Sequence, residues 1–227
     1  MENKSERRVL KKPTVWRELY FYRKSDVIYQ LTVEFCHRFL PTSGDRTVDQ
    51  MIQAARSGKQ NIIEGCEDGQ TSSESELKLL NVSRGSFQEL KADYEDYLNT
   101  RHLSIWPTDN ERQQRLLDFC RLHNDFPDYA PLINKMNSEE YANLMITLLH
   151  QTDKMMCTYI KKLEQRFITE GGIKERMYSM RTGYLQDQKQ LLKQLQSENH
   201  QLQSKIQQLQ SENYQLKRLI EILKKDK

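Results

Sequence analysis

Cysteine, histidine and acidic side chains are the groups in this chain that could hold a metal ion or a cofactor. Cys120 and His123 have the short spacing of a zinc-ligand pair. A structural zinc site needs four ligands, and no second pair follows at zinc-finger spacing. Glu64, Glu67 and Asp68 cluster near the end of a predicted helix, but no matching carboxylates accompany them. We therefore predict no metal site, no cofactor and no cofactor-binding residues.

Nucleophilic catalysis would need a nucleophile within hydrogen-bond reach of a base. Cys36 and His37 are neighbours in sequence, so on a helix they point to different faces and cannot form such a pair. The sequence contains no glycine-rich phosphate loop, no HExxH helix and no GxSxG nucleophile turn. We predict that the protein is not an enzyme and has no catalytic residues, which leaves binding and assembly as its functions.

The stretch from 185 to 227 carries leucine at every seventh residue and contains neither glycine nor proline. A seven-residue apolar repeat has a period of 3.5 residues, so it stays on one face only when helices supercoil around one another. The stripe must face a partner, because it would otherwise lie in water. We predict a parallel coiled coil that joins two or more chains. The predicted oligomerisation residues are Leu195, Leu202, Leu209, Leu216 and Leu223 at position d, with Leu192, Asn199, Ile206, Asn213 and Ile220 at position a.

Asparagine at position a refines this prediction. A buried amide costs stability but favours a parallel dimer in register. Asn199 lies in QLQSENHQL at 194–202, which returns almost unchanged as QLQSENYQL at 208–216. Such a repeat would tolerate a slipped register, which the apolar residues at position a must resist by packing. The alternative for this segment is a solvated, glutamine-rich helix.

The rest of the chain has the pattern of an all-α protein. It has few Gly and Pro, and capped amphipathic helical patterns dominate. One helix starts near Ser25, another opens with Ser73 and Glu76 as a capping box, and residues 124–136 form a loop containing proline. Four long amphipathic helices bury their apolar stripes most simply as an antiparallel bundle. The predicted segments are a basic, aromatic arm at 1–24, a four-helix bundle at 25–170 with a short inserted helix near 109–123, a hinge and start of the last helix at 171–184, and the coiled coil at 185–227.

Positive charge is concentrated at the two ends of the sequence. Residues 1–24 hold eight Lys and Arg against three acids, and residues 185–227 hold eight against five. The middle of the chain is mildly acidic, so nucleic-acid binding would depend on the ends or on a local patch. The candidate nucleic-acid contacts are Lys4, Arg7, Arg8, Lys11, Lys12, Arg46, Arg56 and Lys59.

The sequence predicts a cytoplasmic protein without a membrane partner. No run of 18 apolar residues is present, so no membrane span is expected. The first residues lack the apolar core of a signal peptide. Four scattered cysteines indicate buried thiols in a reducing compartment and not a disulfide framework.

Two stretches carry a family resemblance. They are TVDQMIQAARSGKQNIIEG at 47–65 and NVSRGSFQELKADY at 81–94. In order and spacing they resemble the second and third helices of the bacterial four-helix-bundle proteins encoded in 23S rRNA intervening sequences. Residues 170–184, EGGIKERMYSMRTGY, are similar to the suffix-domain subgroup of that family. The matching motif residues are Asn61, Glu64, Gly65, Arg84, Gly85, Ser86 and Glu89.

This resemblance implies a non-enzymatic, oligomeric bundle. The wider family includes the accessory variability protein of retroelements, a pentameric barrel that binds nucleic acid and a reverse transcriptase. Two hypotheses therefore stand. The first is an interaction or scaffold protein with a protein partner, which forms a homo-oligomer: a dimer through the coiled coil, or a pentamer by family analogy. The second is an accessory protein that binds RNA or DNA.

The motif residues also have a purely structural interpretation. Asn61 and Glu64 lie three residues apart on one helical face. A buried amide or carboxylate without a partner costs about 1–3 kcal/mol. Arg84 and Ser86 on the following helix could supply those partners. We therefore interpret the motif as a polar network that specifies the fold, in preference to a binding site.

Overall fold

A computed structural model describes residues 10–41 and 46–225, with side chains as far as residue 214 together with Lys217. The chain is all-helical, as predicted, and the described residues contain no strand. Contacts divide it into two compact units, Met1–Glu175 and Arg176–Lys227. The helices are α1 (Tyr20–Phe39), α2 (Arg46–Asp68), α3 (Ser73–Thr100), α4 (Glu111–Leu122), α5 (Phe126–Ile133), α6 (Ser138–Glu170) and α7 (Ile173–Lys225).

Four long helices of the first unit share one apolar core. Helix α1 packs against α2 and α6, and α3 packs against the same two helices. At the centre the ring of Phe35 lies 4.9 Å from the ring of Tyr94 and 5.4 Å from the ring of Tyr141. The two buried tyrosine hydroxyls are satisfied, since Tyr94 donates to Thr32 Oγ1 at 3.1 Å and Tyr141 donates to the Leu31 carbonyl at 3.0 Å. Burying the Phe35 side chain, which is fully buried, contributes about 1.5–3 kcal/mol to stability.

Helix α1 begins at Tyr20, so the start predicted near Ser25 is wrong by about one turn. The hydroxyl of Ser25 donates to the Tyr22 carbonyl at 2.6 Å and therefore caps nothing. Phe21 is buried and belongs to the apolar stripe of the helix. The stripe extends the helix toward the N-terminus, because burying Phe21 outweighs the weak capping preference of a serine. The last five residues of the predicted arm thus lie in α1.

The predicted loop at 124–136 is also wrong, because α5 occupies most of it. Pro127 lies in the first turn, where the missing N–H has no helical partner to lose. Tyr129 and Ile133 on this short helix are buried. Arg38 of α1 donates to the Ile133 carbonyl at 2.7 Å and thereby satisfies the C-terminal end of α5. Tertiary contacts therefore stabilise a helix in a segment where the prolines had led us to predict a loop.

The N-terminal cap of α6 agrees with the sequence pattern, whereas the N-terminal cap of α3 differs from the one predicted. Asn137 and Glu140 form the capping box that opens α6, as their spacing predicts. At α3 the N-cap is Ser72 and not Ser73, since Ser72 Oγ accepts from the Ser75 amide at 3.1 Å. Glu76 is buried at 3% exposure and does not complete the predicted capping box. Its side chain is instead buried within the first unit, where it accepts a hydrogen bond from the Tyr159 hydroxyl at 3.4 Å.

Gly171 and Gly172 separate α6 from α7, at the start of the predicted hinge at 171–184. Helix α6 ends at Glu170, and Gly171 follows with φ of 70°, a conformation that only glycine adopts without strain. Helix α7 then runs from Ile173 through Gly183 without a break. Gly183, within the predicted hinge and helix start at 171–184, therefore does not interrupt the helix.

Candidate functional site

Helix α7 carries the predicted heptad repeat on an unbroken helix of 53 residues. Its described apolar side chains at positions a and d are about half exposed. Their exposed fractions are Leu192 57%, Leu195 51%, Leu202 61%, Ile206 53% and Leu209 49%. The side chains of Leu216, Ile220 and Leu223 lie outside the described residues. A stripe of this kind lies in water unless another helix covers it.

Asn199 and Asn213 occupy position a and are exposed on this helix. The two repeats that contain them have the same local hydrogen bonding. Gln194 Nε2 donates to Glu198 Oε1 at 3.2 Å, and Gln208 Nε2 donates to Glu212 Oε1 at 3.1 Å. The repeats are thus alike in conformation as well as in sequence. The choice of one register over a shift of fourteen residues therefore depends on the residues that differ between the repeats and on the length of the overlap.

The family-like motif lies where α2 packs on α3. Ser83 Oγ donates to the Gly58 carbonyl at 2.6 Å, and the Phe87 ring packs directly over Gly58. Gly65 is similarly close, because a Cβ there would stand 3.2 Å from Leu79 Cβ. The small residues of α2 therefore serve close helix packing.

The polar residues of the motif form only part of the predicted network. Asn61 Nδ2 donates to the Ser57 carbonyl and hydroxyl, and Ser86 Oγ lies 3.3 Å from the same hydroxyl. Glu64 is exposed, and its described partner is Gln60. Arg84 turns to α6, where its Nε donates to Asp153 Oδ1 at 2.8 Å. Asn61 and Ser86 are thus joined through a serine, whereas the partners predicted for Glu64 were wrong.

A groove of about 690 Å³ runs beside this contact of α2 with α3. Its acidic members outnumber its single described cation, Arg46. Burial, with the nearby charges of Asp96 and Glu89, raises the pKa of Asp93. Negative potential in this groove opposes a phosphate ligand. The lining residues that carry charge are Arg46, Asp49, Glu89 and Asp93.

Two of the candidate nucleic-acid contacts have partners within the described part of the chain. Lys59 Nζ lies 2.7 Å from Asp26 Oδ1, and Lys11 Nζ donates to Ser73 Oγ at 2.6 Å. Lys12 and Arg56 are exposed. Three further candidates, Lys4, Arg7 and Arg8, lie outside the described residues.

Three of the four cysteines are poorly suited to nucleophilic chemistry. Cys36, Cys66 and Cys120 are buried, and burial raises the pKa of each thiol to about 12. The ring of His123 stacks on Phe119, with centroids 4.1 Å apart. Within residues 10–41 and 46–225, no group of three or more His, Cys, Asp and Glu is arranged to hold a metal ion.

One cationic feature was missed from the sequence. Trp106, between α3 and α4, and Arg112 and Arg115 of α4 line a groove with Lys135 before α6. The arginines stand three residues apart, a spacing that places both on one helical face and could have been noticed. The contributions of Trp106 and Lys135 depend on tertiary structure and have no local signal.

Comparison of the chain with protein-family models, curated proteins and solved structures found no match. Of the helices described, none combines the length and apolar character needed to cross a membrane.

Proposed function

We propose that this protein is a non-enzymatic interaction scaffold, in which a parallel two-stranded coiled coil of α7 joins two copies of the helical domain. The exposed heptad stripe on α7 is the observation that carries the proposal. Its leucines recur every seventh residue, yet each described one is about half exposed on the single chain. A second copy that covers this stripe removes apolar surface from water, and each Å² buried contributes about 25 cal/mol of stabilising free energy.

Asparagine at position a supports a parallel pair in register. In such a pair Asn199 faces the second copy of Asn199, and Asn213 faces its own copy, so the amides can bond to each other. A shift of seven residues would set Asn199 against Ile206 and leave a buried amide without a partner. A shift of fourteen residues would keep an amide pair between Asn199 and Asn213 but shorten the overlap. The in-register dimer therefore satisfies the most amides and buries the most leucine.

The long helices of the first unit are proposed to form an antiparallel four-helix bundle. Phe21 at the start of α1 contacts Tyr159 late in α6, whereas Phe35 near the end of α1 contacts Tyr141 at the start of α6. This reversal is what antiparallel neighbours produce.

The same reversal relates two further pairs of helices. For α2 and α3, Gly58 lies against Phe87 and the later Gly65 lies against the earlier Leu79. For α3 and α6, Glu76 contacts Tyr159 and the later Arg84 contacts the earlier Asp153.

The proposal includes a reducing compartment such as the cytoplasm. Four cysteines are free, and three of them are buried in the core. Cysteines that serve as small apolar core residues are typical of proteins that do not rely on disulfides.

A cysteine placed in the seam tests the parallel, in-register arrangement. Under mild oxidation Asn199→Cys is expected to give a disulfide between chains, because the two copies of position 199 face each other. Ser197→Cys is the matched control, since position f points away from the seam. Equal cross-linking of the two variants, or none of Asn199→Cys, would contradict the proposed arrangement.

The second hypothesis from the sequence, nucleic-acid binding, gains no specific support. Lys59 is paired with Asp26, and Arg46 lines a groove with three acids. A phosphate backbone would have to displace Asp26 from Lys59, and it would approach Arg46 against the negative charge of the three acids. The interaction scaffold is therefore the function that the described geometry favours.

A further inference from the structure

A groove of about 510 Å³ lies at the inserted segment between α3 and α6. Its lining residues belong neither to the family-like motif nor to the heptad repeat. Three cations line it: Arg112 and Arg115 from α4, and Lys135 from the turn that precedes α6. Its one described acid, Glu140, already accepts from the Asn137 amide at 3.1 Å in the capping box of α6. The groove is therefore positively charged, although the domain around it is mildly acidic.

Two of these cations have no carboxylate partner in the described part of the chain. Among the described residues, no acid lies within salt-bridge distance of Arg112 or Lys135. Arg115 has one in Glu111, but the 3.5 Å pair is exposed on both sides and contributes little. The guanidinium of Arg112 instead lies 5.7 Å from the centre of the Trp106 ring. An arginine over an aromatic face keeps its edge free to bind a carboxylate.

Trp106 is held rigidly at the wall of this groove. Its indole N–H donates to Glu139 Oε1 at 2.9 Å, and its backbone amide donates to Asn143 Oδ1 at 2.8 Å. Asn143 is itself buried at 2% exposure and donates to the Ser104 carbonyl at 2.9 Å. The aromatic ring is thus fixed before any ligand arrives, which lowers the entropy cost of binding.

The floor of the groove is apolar. Leu116 and Met136 form it with only 7% and 8% exposure, and Leu132 is half-buried beside them. Apolar side chains beneath a rim of cations suit a ligand that is both anionic and apolar. Charge and shape therefore point to carboxylates on the rim and an aliphatic or aromatic side chain on the floor.

We propose that this groove binds an acidic peptide segment of a partner protein, with an apolar side chain against Trp106, Leu116 and Met136. Its carboxylates bind Arg112, Arg115 and Lys135. This inference deepens the proposed scaffold function by naming the class of partner. It rests on that function only for the avidity that two grooves in one assembly provide.

Exposure favours a protein segment over a free metabolite. The Arg115 side chain is 76% exposed, so the rim stays open to water. Small-molecule sites bury about 70–90% of their ligand, which an open rim cannot do. A segment of a larger protein can cover the rim with the rest of its own surface.

Local charge favours a short acidic peptide over a nucleic-acid strand. Glu111, whose carboxylate lies 3.5 Å from Arg115, is exposed at the edge of the groove. A phosphate strand carries a charge at every nucleotide and would run past this acid. A peptide with a few carboxylates around one apolar residue needs the groove alone.

The test is selection of a phage-displayed library of random peptides on the full-length protein at physiological salt. Peptides rich in Asp and Glu around an apolar residue are expected. A labelled copy of the best peptide is then measured by fluorescence anisotropy. Arg112→Glu combined with Lys135→Glu should weaken its binding by about tenfold or more, because two rim attractions become repulsions. The matched control, Arg121→Glu with Lys154→Glu, reverses two exposed charges outside the groove and should change binding by less than about twofold.

Two further measurements separate this inference from others. Leu202→Glu with Leu209→Glu, which alters only the seam, should leave the affinity for the single peptide unchanged even where it changes assembly. Selected peptides without acids, no selection, or equal losses in the two charge-reversed proteins would overturn the peptide groove. Tighter binding of oligothymidylate than of the peptide, abolished by the same groove substitutions, would also overturn it and would assign the groove to nucleic acid.

Discussion

The hydroxyl of Ser83 donates a 2.6 Å hydrogen bond to the backbone carbonyl of Gly58, across the contact of α2 with α3. Both residues are buried, and the Phe87 ring covers the same glycine. Because Gly58 has no side chain, the Ser83 hydroxyl and the Phe87 ring can both approach the backbone of α2 closely. The small-residue run of α2 is therefore a packing surface, which gives that motif a structural role.

Replacing Gly58 with Ala is expected to destabilise the protein by about 1–3 kcal/mol, the range for overpacking a core. The new Cβ would stand 2.3 Å from Phe87 Cε1, so the buried ring must move. Alanine's higher helix propensity, worth about 1 kcal/mol, offsets only part of this cost. Denaturant unfolding of the full chain gives the change in the free energy of unfolding.

Gly85→Ala is the matched control within the neighbouring helix. Gly85 is exposed on α3, and a Cβ there would meet no atom of the described residues within 4 Å. Helix propensity should then act alone and stabilise the protein by about 1 kcal/mol. Equal effects of the two substitutions would show that the close contact of α2 with α3 is not formed as described.

Glu76 predicts a pH dependence of stability. It is 3% exposed, and burial raises its pKa although Lys11 and a 3.4 Å hydrogen bond from Tyr159 act in the opposite direction. A carboxyl whose pKa is higher in the folded state binds its proton more tightly there. The stability it contributes is complete below its ordinary pKa of 4.5 and is lost as pH rises through the folded-state pKa.

Glu76→Gln should therefore flatten this dependence and make the protein more stable than wild type at neutral pH. The measurement is the melting temperature of both proteins from acidic to neutral pH, and the expected difference grows with pH above 4.5. Glu74→Gln removes an exposed carboxylate from the same turn of α3 and should follow wild type. A wild-type protein that gains stability relative to Glu76→Gln as pH rises would contradict this account.

Local patterns predicted the parts of the fold that are determined by near neighbours in sequence. The heptad spacing gave the long final helix, and Asn137 with Glu140 gave the capping box of α6. The start of α1 and the existence of α5 were missed, because they depend on contacts with other helices: Phe21 packs on α6, Tyr129 packs on α4, and Arg38 of α1 binds the end of α5. Propensity and proline rules describe a segment in isolation and do not include these contacts.

The polar contacts were harder to predict than the helices. Arg84 pairs with Asp153, 69 residues away, and not with the motif residues one helix earlier. Lys24 is 2% exposed, and its ammonium donates to the carbonyls of Cys120 and His123 at the end of α4. A buried lysine on carbonyl oxygens has no local signature, because its partners are set by how α4 docks on α1.

The seam of α7 is the central claim, and the mass of the full chain in solution by light scattering tests it most directly. The account predicts twice the chain mass for wild type and a single chain for Leu202→Glu with Leu209→Glu, since buried charges at position d separate the helices. Ser204→Glu with Ser211→Glu adds the same charge at position f and should remain a dimer. A monomeric wild type, a pentamer, or an assembly that survives the leucine substitutions would contradict the account.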